Sequence, residues 1–117
     1  MEIDHLVIAG DTIEEASSFV EKALGLKLEP GGQHLKYGTH NKLLKLDRKV
    51  YIEAIAIDPD VNKPETSRWF NLDNFSGTPR IINWVCRCEN LTKVLSGFSN
   101  DVGEITNMKR GFLKWDI

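Results

Sequence analysis

Cysteine, long apolar runs and blocks of like charge are all scarce in this chain, and each scarcity removes a class of protein. There are two cysteines, Cys86 and Cys88. In a strand, residues two apart share a face and lie about 6.5–7 Å apart, near the upper limit for a disulfide. Without an export signal, two reduced, buried thiols are expected. A Cys-x-Cys pair with no further cysteine cannot complete a thiolate metal site. No apolar segment approaches the roughly 20 residues of a membrane helix. Glu2 and Asp4 stand where a signal peptide carries positive charge, which predicts a cytoplasmic location. Lysine and arginine are scattered over a chain of net charge −2. That pattern predicts no nucleic-acid partner and no membrane-surface partner. Neither a Gly-x-Ser-x-Gly elbow nor a His-Glu-x-x-His helix occurs.

What remains is an ordinary soluble composition, 41% hydrophobic and 27% charged, over 117 residues. That length suits a single domain with a real core. Glu2 to Ala9 is an apolar run rich in Ile, Leu and Val, which reads as a strand buried on both faces. Gly10-Asp11-Thr12 reads as turn and cap. Ile13, Ala16, Phe19, Val20, Ala23 and Leu24 then recur at helical spacing, and Gly25 is placed to stop the helix. Pro30-Gly31-Gly32 is expected to break the chain. Gln33 to Lys36 reads as a strand, Gly38 to Asn41 as a turn, and Leu43 to Asp47 as a strand. Val50 to Ile57 is the longest apolar strand.

Residues 58–79 are polar, hold Pro59 and Pro64, and read as a surface connection. Within them Arg68 to Asp73 has the makings of a helical turn. Arg80 to Cys88 is a further apolar strand, and Glu89-Asn90 caps a helix over Leu91 to Phe98 with Leu91, Val94, Leu95 and Phe98 on one face. Gly103 to Met108 and Gly111 to Ile117 read as strands turned at Lys109-Arg110-Gly111. The order strand, helix, strands thus occurs twice, in residues 1–57 and 80–117. Placing Leu91 on Ile13 puts Asn83 on His5. The second copy ends at Trp115-Asp-Ile117, so it is expected to lack its last strand.

Two ionisable residues sit inside the apolar strands. His5 shares a face with Ile3, Val7 and Ala9, and is either a hydrogen-bonded core histidine or a ligand. Glu53 lies between Tyr51-Ile52 and Ala54-Ile55. An unpaired carboxylate there costs several kcal/mol or becomes protonated. It therefore calls for a cation, with Arg80 or Arg87 as candidates, or for a solvent-filled cavity. His34, Thr39, His40 and Asn41 cluster in a glycine-rich segment, either as a cavity wall or as a turn with side-chain-to-backbone bonds. Trp69, Trp84 and Trp115 read as core residues. Arg68 could clamp a carboxylate, but is expected as a solvated surface charge.

Ile3-Asp-His-Leu-Val-Ile-Ala9, Gly31-Gly-Gln-His34, Gly38-Thr-His-Asn41, Tyr51-Ile-Glu53, Arg68-Trp-Phe70 and Arg110-Gly-Phe-Leu-Lys-Trp115 are spread over nearly the whole chain. Taken together they resemble the glyoxalase-like domain family of the vicinal oxygen chelate superfamily. The resemblance implies an α+β fold of paired βαβββ modules forming an open curved sheet. It also implies a divalent metal that polarises vicinal oxygens of a substrate. Isomerisation, ring cleavage, epoxide opening and drug sequestration all occur on this fold, so the fold alone does not select a reaction.

On that resemblance His5 and Glu53 are the expected catalytic residues and metal ligands, with Glu53 as ligand or general base. His34, Thr39, Asn41 and Asn83 are the expected substrate-binding residues. Asn83 is a poor transition-metal ligand. Two good donors without a third predict weak or absent metal binding in the isolated chain. The leading expectation is a small-molecule lyase, isomerase or dioxygenase, or the N-terminal part of one. The alternatives are a non-catalytic, drug-sequestering module and an inactive fragment that retains the fold. An open sheet edge predicts a homodimer. Lys109, Arg110 and Lys114 are expected to discourage aggregation there.

Overall fold

The computed structural model describes residues 1–117 except the side chain of Arg110, so the charge expected there lies outside the described residues. The element order is β1 (Glu2–Ala9), α1 (Ile13–Leu24), β2 (Glu29–His34), β3 (Thr39–Lys45), β4 (Tyr51–Ile57), a 3-10 segment (Trp69–Asn74), β5 (Arg80–Arg87), α2 (Leu91–Leu95), β6 (Asn107–Arg110) and β7 (Leu113–Asp116). None of these helices is long and apolar enough to cross a membrane. The chain forms two compact units, residues 3–86 and residues 1–2 with 87–117.

The larger unit is built on a mixed five-stranded sheet of order β2-β3-β4-β1-β5. β1 runs parallel to β4, pairing His5 with Tyr51, Val7 with Glu53 and Ala9 with Ile55. β3 is antiparallel to both β4 and β2. Because side chains alternate between faces, β1 and β4 serve two cores. Ile8, Ile52, Ala54 and Ala56 face Ile13, Ala16 and Val20 of α1. Val7, Ala9 and Ile55 cluster instead with Leu72 of the 3-10 segment, flanked by Trp69, Phe70, Phe75, Ile82 and Val85. This is why both strands are apolar without alternation.

Local chemistry sets the ends of α1. Thr12 accepts from the Glu15 amide, and Gly25, with φ 68, stops the helix in the left-handed region. The buried stripe is Ile13, Ala16, Ser17 and Val20, whereas Phe19, Ala23 and Leu24, expected on it, are exposed. Ser17 fits because its hydroxyl donates to the Ile13 carbonyl at 2.7 Å.

Two expectations about the strands change. Pro30-Gly31-Gly32 lies inside β2, where a register shift between Pro30 and Gln33 absorbs it. β3 begins at Thr39, not Leu43, because Thr39 to Lys45 find complete partners on β4. The reversal falls at residues 35–38, with Gly38 at φ 59.

The smaller unit holds α2, β6 and β7, while β5, expected to open a second module with them, joins the five-stranded sheet; β6 and β7 form a two-stranded sheet of their own. α2 ends at Leu95 and buries no residue, so the apolar face expected through Phe98 is not packed into a core. Trp84 and Trp115 are exposed rather than buried. The cysteines are free, as expected, but Cys86 is exposed and Cys88 half-buried. β5 is an edge strand of the five-stranded sheet.

Candidate functional site

His5 and Glu53 point to the same face of the sheet. Their strands are neighbours and their positions lie diagonally across the parallel register. His5 Nε2 lies 3.3 Å from Glu53 Oε2. Nδ1 of the same ring lies 2.8 Å from Asp4 Oδ2. The ring also stacks on Tyr51, centroid to centroid 4.5 Å. Both residues are buried, with Glu53 5% exposed. Burial opposes the charged form of His5. The hydrogen bonds and charges of Glu53 and Asp4 together outweigh it and hold the pKa above the ordinary 6.5. The partner that Glu53 requires is therefore His5. Arg80 instead lies over the Phe75 ring, and Arg87 pairs with Glu2.

The second oxygen of Glu53 has its own partner. Asn41 Nδ2 donates to Oε1 at 2.6 Å. The Gly32 amide can only donate, and it meets Asn41 Oδ1 at 2.8 Å. That contact fixes which end of the Asn41 amide is oxygen, so nitrogen faces the carboxylate. Asn41 Nδ2 also lies 3.2 Å from His34 Nε2. His34 Nδ1 lies 2.9 Å from Thr39 Oγ1, which accepts from Trp69 Nε1 at 3.1 Å. A continuous polar chain thus runs Asp4, His5, Glu53, Asn41, His34, Thr39, Trp69. Among the described residues, no buried side-chain nitrogen or oxygen lacks a partner.

The sheet brings together His5, Glu53, His34, Thr39 and Asn41. It does not bring His40, which points to the opposite face, 3.8 Å from the buried Asp58 carboxylate. Asn83 is exposed on β5, and its side-chain oxygen accepts from the Trp84 amide at 2.9 Å. Arg68 is buried, not solvated. It is paired with Asp73, and its Nε donates to the Gly38 carbonyl at 3.4 Å. The Arg68 amide and guanidinium hold the Asp73 carboxyl below its usual range. A surface depression of about 360 Å³ by the end of α1, lined by Glu21, Lys22 and Leu26, contains none of the chain's members.

The sequence assigned Asp4 no part in the site and Trp69 only a packing role, which it also has beside Leu72. Asp4 carries a legible signal, a carboxylate adjacent to a strand histidine. Trp69 carries none, since its approach to Thr39 spans thirty positions.

Residues 3–117 match the model of the glyoxalase-like domain. The chain belongs to that family. No curated protein matches it, and no solved structure does. The glyoxalase-like fold implies a divalent metal near His5 and Glu53, and the donor set can be tested against it. His5 Nε2 and Glu53 Oε2, 3.3 Å apart, have the spacing of two ligands on one ion. A third donor is missing. Among the described residues no group of three His, Cys, Asp or Glu side chains could hold a metal. The nearest further group, Asn41, presents N–H rather than a lone pair. The residues present do not fit a divalent metal.

Proposed function

We propose that this glyoxalase-like domain is a small-molecule enzyme acting on a polar substrate, with Glu53 as the proton-accepting group and His5 as its charged partner. The observation that carries the reading is the buried pair itself, 3.3 Å between Nε2 and Oε2 in the middle of two apolar strands. A carboxylate placed among apolar neighbours and within reach of an imidazole is the kind of group that serves proton transfer. Asp4 orients the imidazole by binding Nδ1, as a carboxylate orients a catalytic histidine. His34, Thr39 and Asn41 extend the polar wall toward the 3-10 segment.

The test is a panel of α-hydroxycarbonyl, catechol and epoxide compounds, chosen for the reaction types known on this fold. Turnover of one of them should fall about 100-fold or more in Glu53→Gln, with the melting transition retained. Turnover unchanged by that substitution would end the reading.

A second reading has an observation in its favour. Every buried polar side-chain atom described already has a protein partner. A wall so satisfied suits a non-catalytic small-molecule binding module. Ligand-induced stabilisation by panel members, with no turnover of any of them, would favour it.

A further inference from the structure

We propose that Asn41 is the residue that decides against a divalent metal at the His5–Glu53 pair. His5 and Glu53 supply two donors at ligand spacing. Two donors bound at ~2.0–2.2 Å to one ion lie roughly 3.0–3.5 Å apart, so spacing is not the obstacle. The obstacle is the direction of one amide. Asn41 Nδ2 directs hydrogen at Glu53 Oε1, so it occupies the second carboxylate oxygen and offers a metal on the pair no lone pair of its own.

The amide cannot easily turn over. Its oxygen is held by the Gly32 N–H. Turning it would set two donors against each other at Gly32 and set oxygen against the Glu53 carboxylate. The backbone beside it is fitted just as closely. A Cβ on Gly31 would overlap Asn41 Oδ1 and stand 2.6 Å from the Asn41 carbonyl oxygen. The sequence Pro30-Gly31-Gly32 thus serves the orientation of a side chain on the next strand. The proposal is independent of whether the site turns over a substrate, because it concerns only what the His5–Glu53 pair coordinates.

Replacing the donor by an acceptor of the same shape tests it. In Asn41→Asp, residue 41 places carboxylate oxygen where Nδ2 stood, and His5, Glu53 and Asp become a three-donor set. Mn²⁺ is the probe, since it favours oxygen and nitrogen ligands over the thiols of Cys86 and Cys88. Affinity is read by calorimetry, and location by paramagnetic broadening of amide signals. The expected result is weak binding to the natural chain, with no broadening centred on residues 5 and 53. Asn41→Asp should bind at least about tenfold tighter, with broadening centred there. Glu53→Gln added to Asn41→Asp should abolish the gain.

A natural chain that binds Mn²⁺ below micromolar, with broadening at His5 and Glu53, would overturn the proposal without any variant. A folded Asn41→Asp protein with no gain would overturn it as well. Should Asn41→Asp fail to fold, Asn41→His offers an imidazole nitrogen at the same position, and the same two outcomes apply.

Discussion

His5 is the residue whose ionisation the fold controls most visibly. Its ring nitrogens meet Asp4 on one side and Glu53 on the other. The folded pKa therefore stands above the ordinary 6.5 despite burial. A group whose pKa is raised on folding stabilises the folded state fully below its unfolded pKa. That contribution is lost as pH rises through the folded value. Denaturant midpoints should accordingly fall as pH is raised from about 6 through the raised His5 value. In His5→Gln that slope should be reduced. A midpoint that rises over the same interval in the natural chain would contradict the two-carboxylate arrangement.

At the scale of elements, β2 shows how a segment that reads as a break can serve as a strand. Proline and two glycines weaken a strand by propensity. Here the register shift between Pro30 and Gln33 accommodates them, and the absence of a side chain at Gly31 lets β2 approach Asn41. Gly31→Ala should cost about 1–3 kcal/mol, the usual cost of forcing a methyl group into filled space. Urea unfolding measures it. Gly32→Ala meets nothing within 4 Å and should cost much less. Equal losses at the two positions would show that β2 is sensitive to glycine freedom in general, not to the Asn41 contact. The 3-10 segment is a comparable case. Phe70 and Asn71 hold left-handed φ values of 54 and 55 without being glycine. Leu72 is 1% exposed, in contact with Val7, Ala9 and Ile55. Packing of Leu72, together with Trp69 on Thr39, offsets the strain of those two residues.

Across the whole molecule, burial is uneven. Strands β1 and β4 carry fully buried residues on both faces, whereas no described residue from 87 to 117 is buried. Local stability follows buried apolar contact. Amide hydrogen exchange should therefore be slowest in β1 and β4 and much faster in α2, β6 and β7. Equal protection in both units would mean that residues 87–117 are covered by something. Self-association is a related expectation. β5 is an edge strand with Ile81 and Trp84 exposed, the kind of edge that pairs with a second copy. Sedimentation at micromolar concentration should show a homodimer, and Trp84→Lys should shift it toward monomer. A natural chain that stays monomeric throughout would remove the edge-pairing argument.

The sequence by itself determined β1, α1 and β4. The apolar runs of the two strands, the caps of the helix and the family membership were legible, because they depend on local pattern and on residues close in the chain. That Glu53 needed a partner was also legible, since the cost of an unpaired buried carboxylate follows from its apolar neighbours alone. Which partner it has was decided only by tertiary structure. Arg80 and Arg87 had the right charge, but the parallel register of β1 on β4 put His5 diagonally across from Glu53 instead. The start of β3 at Thr39 was likewise set by partners on β4, against the turn propensity of Gly38 to Asn41. The direction of the Asn41 amide rests on a backbone N–H nine residues away, brought close by the bulge in β2. Hydrogen-bond direction is a property of three-dimensional neighbours, and no pattern along the chain encodes it.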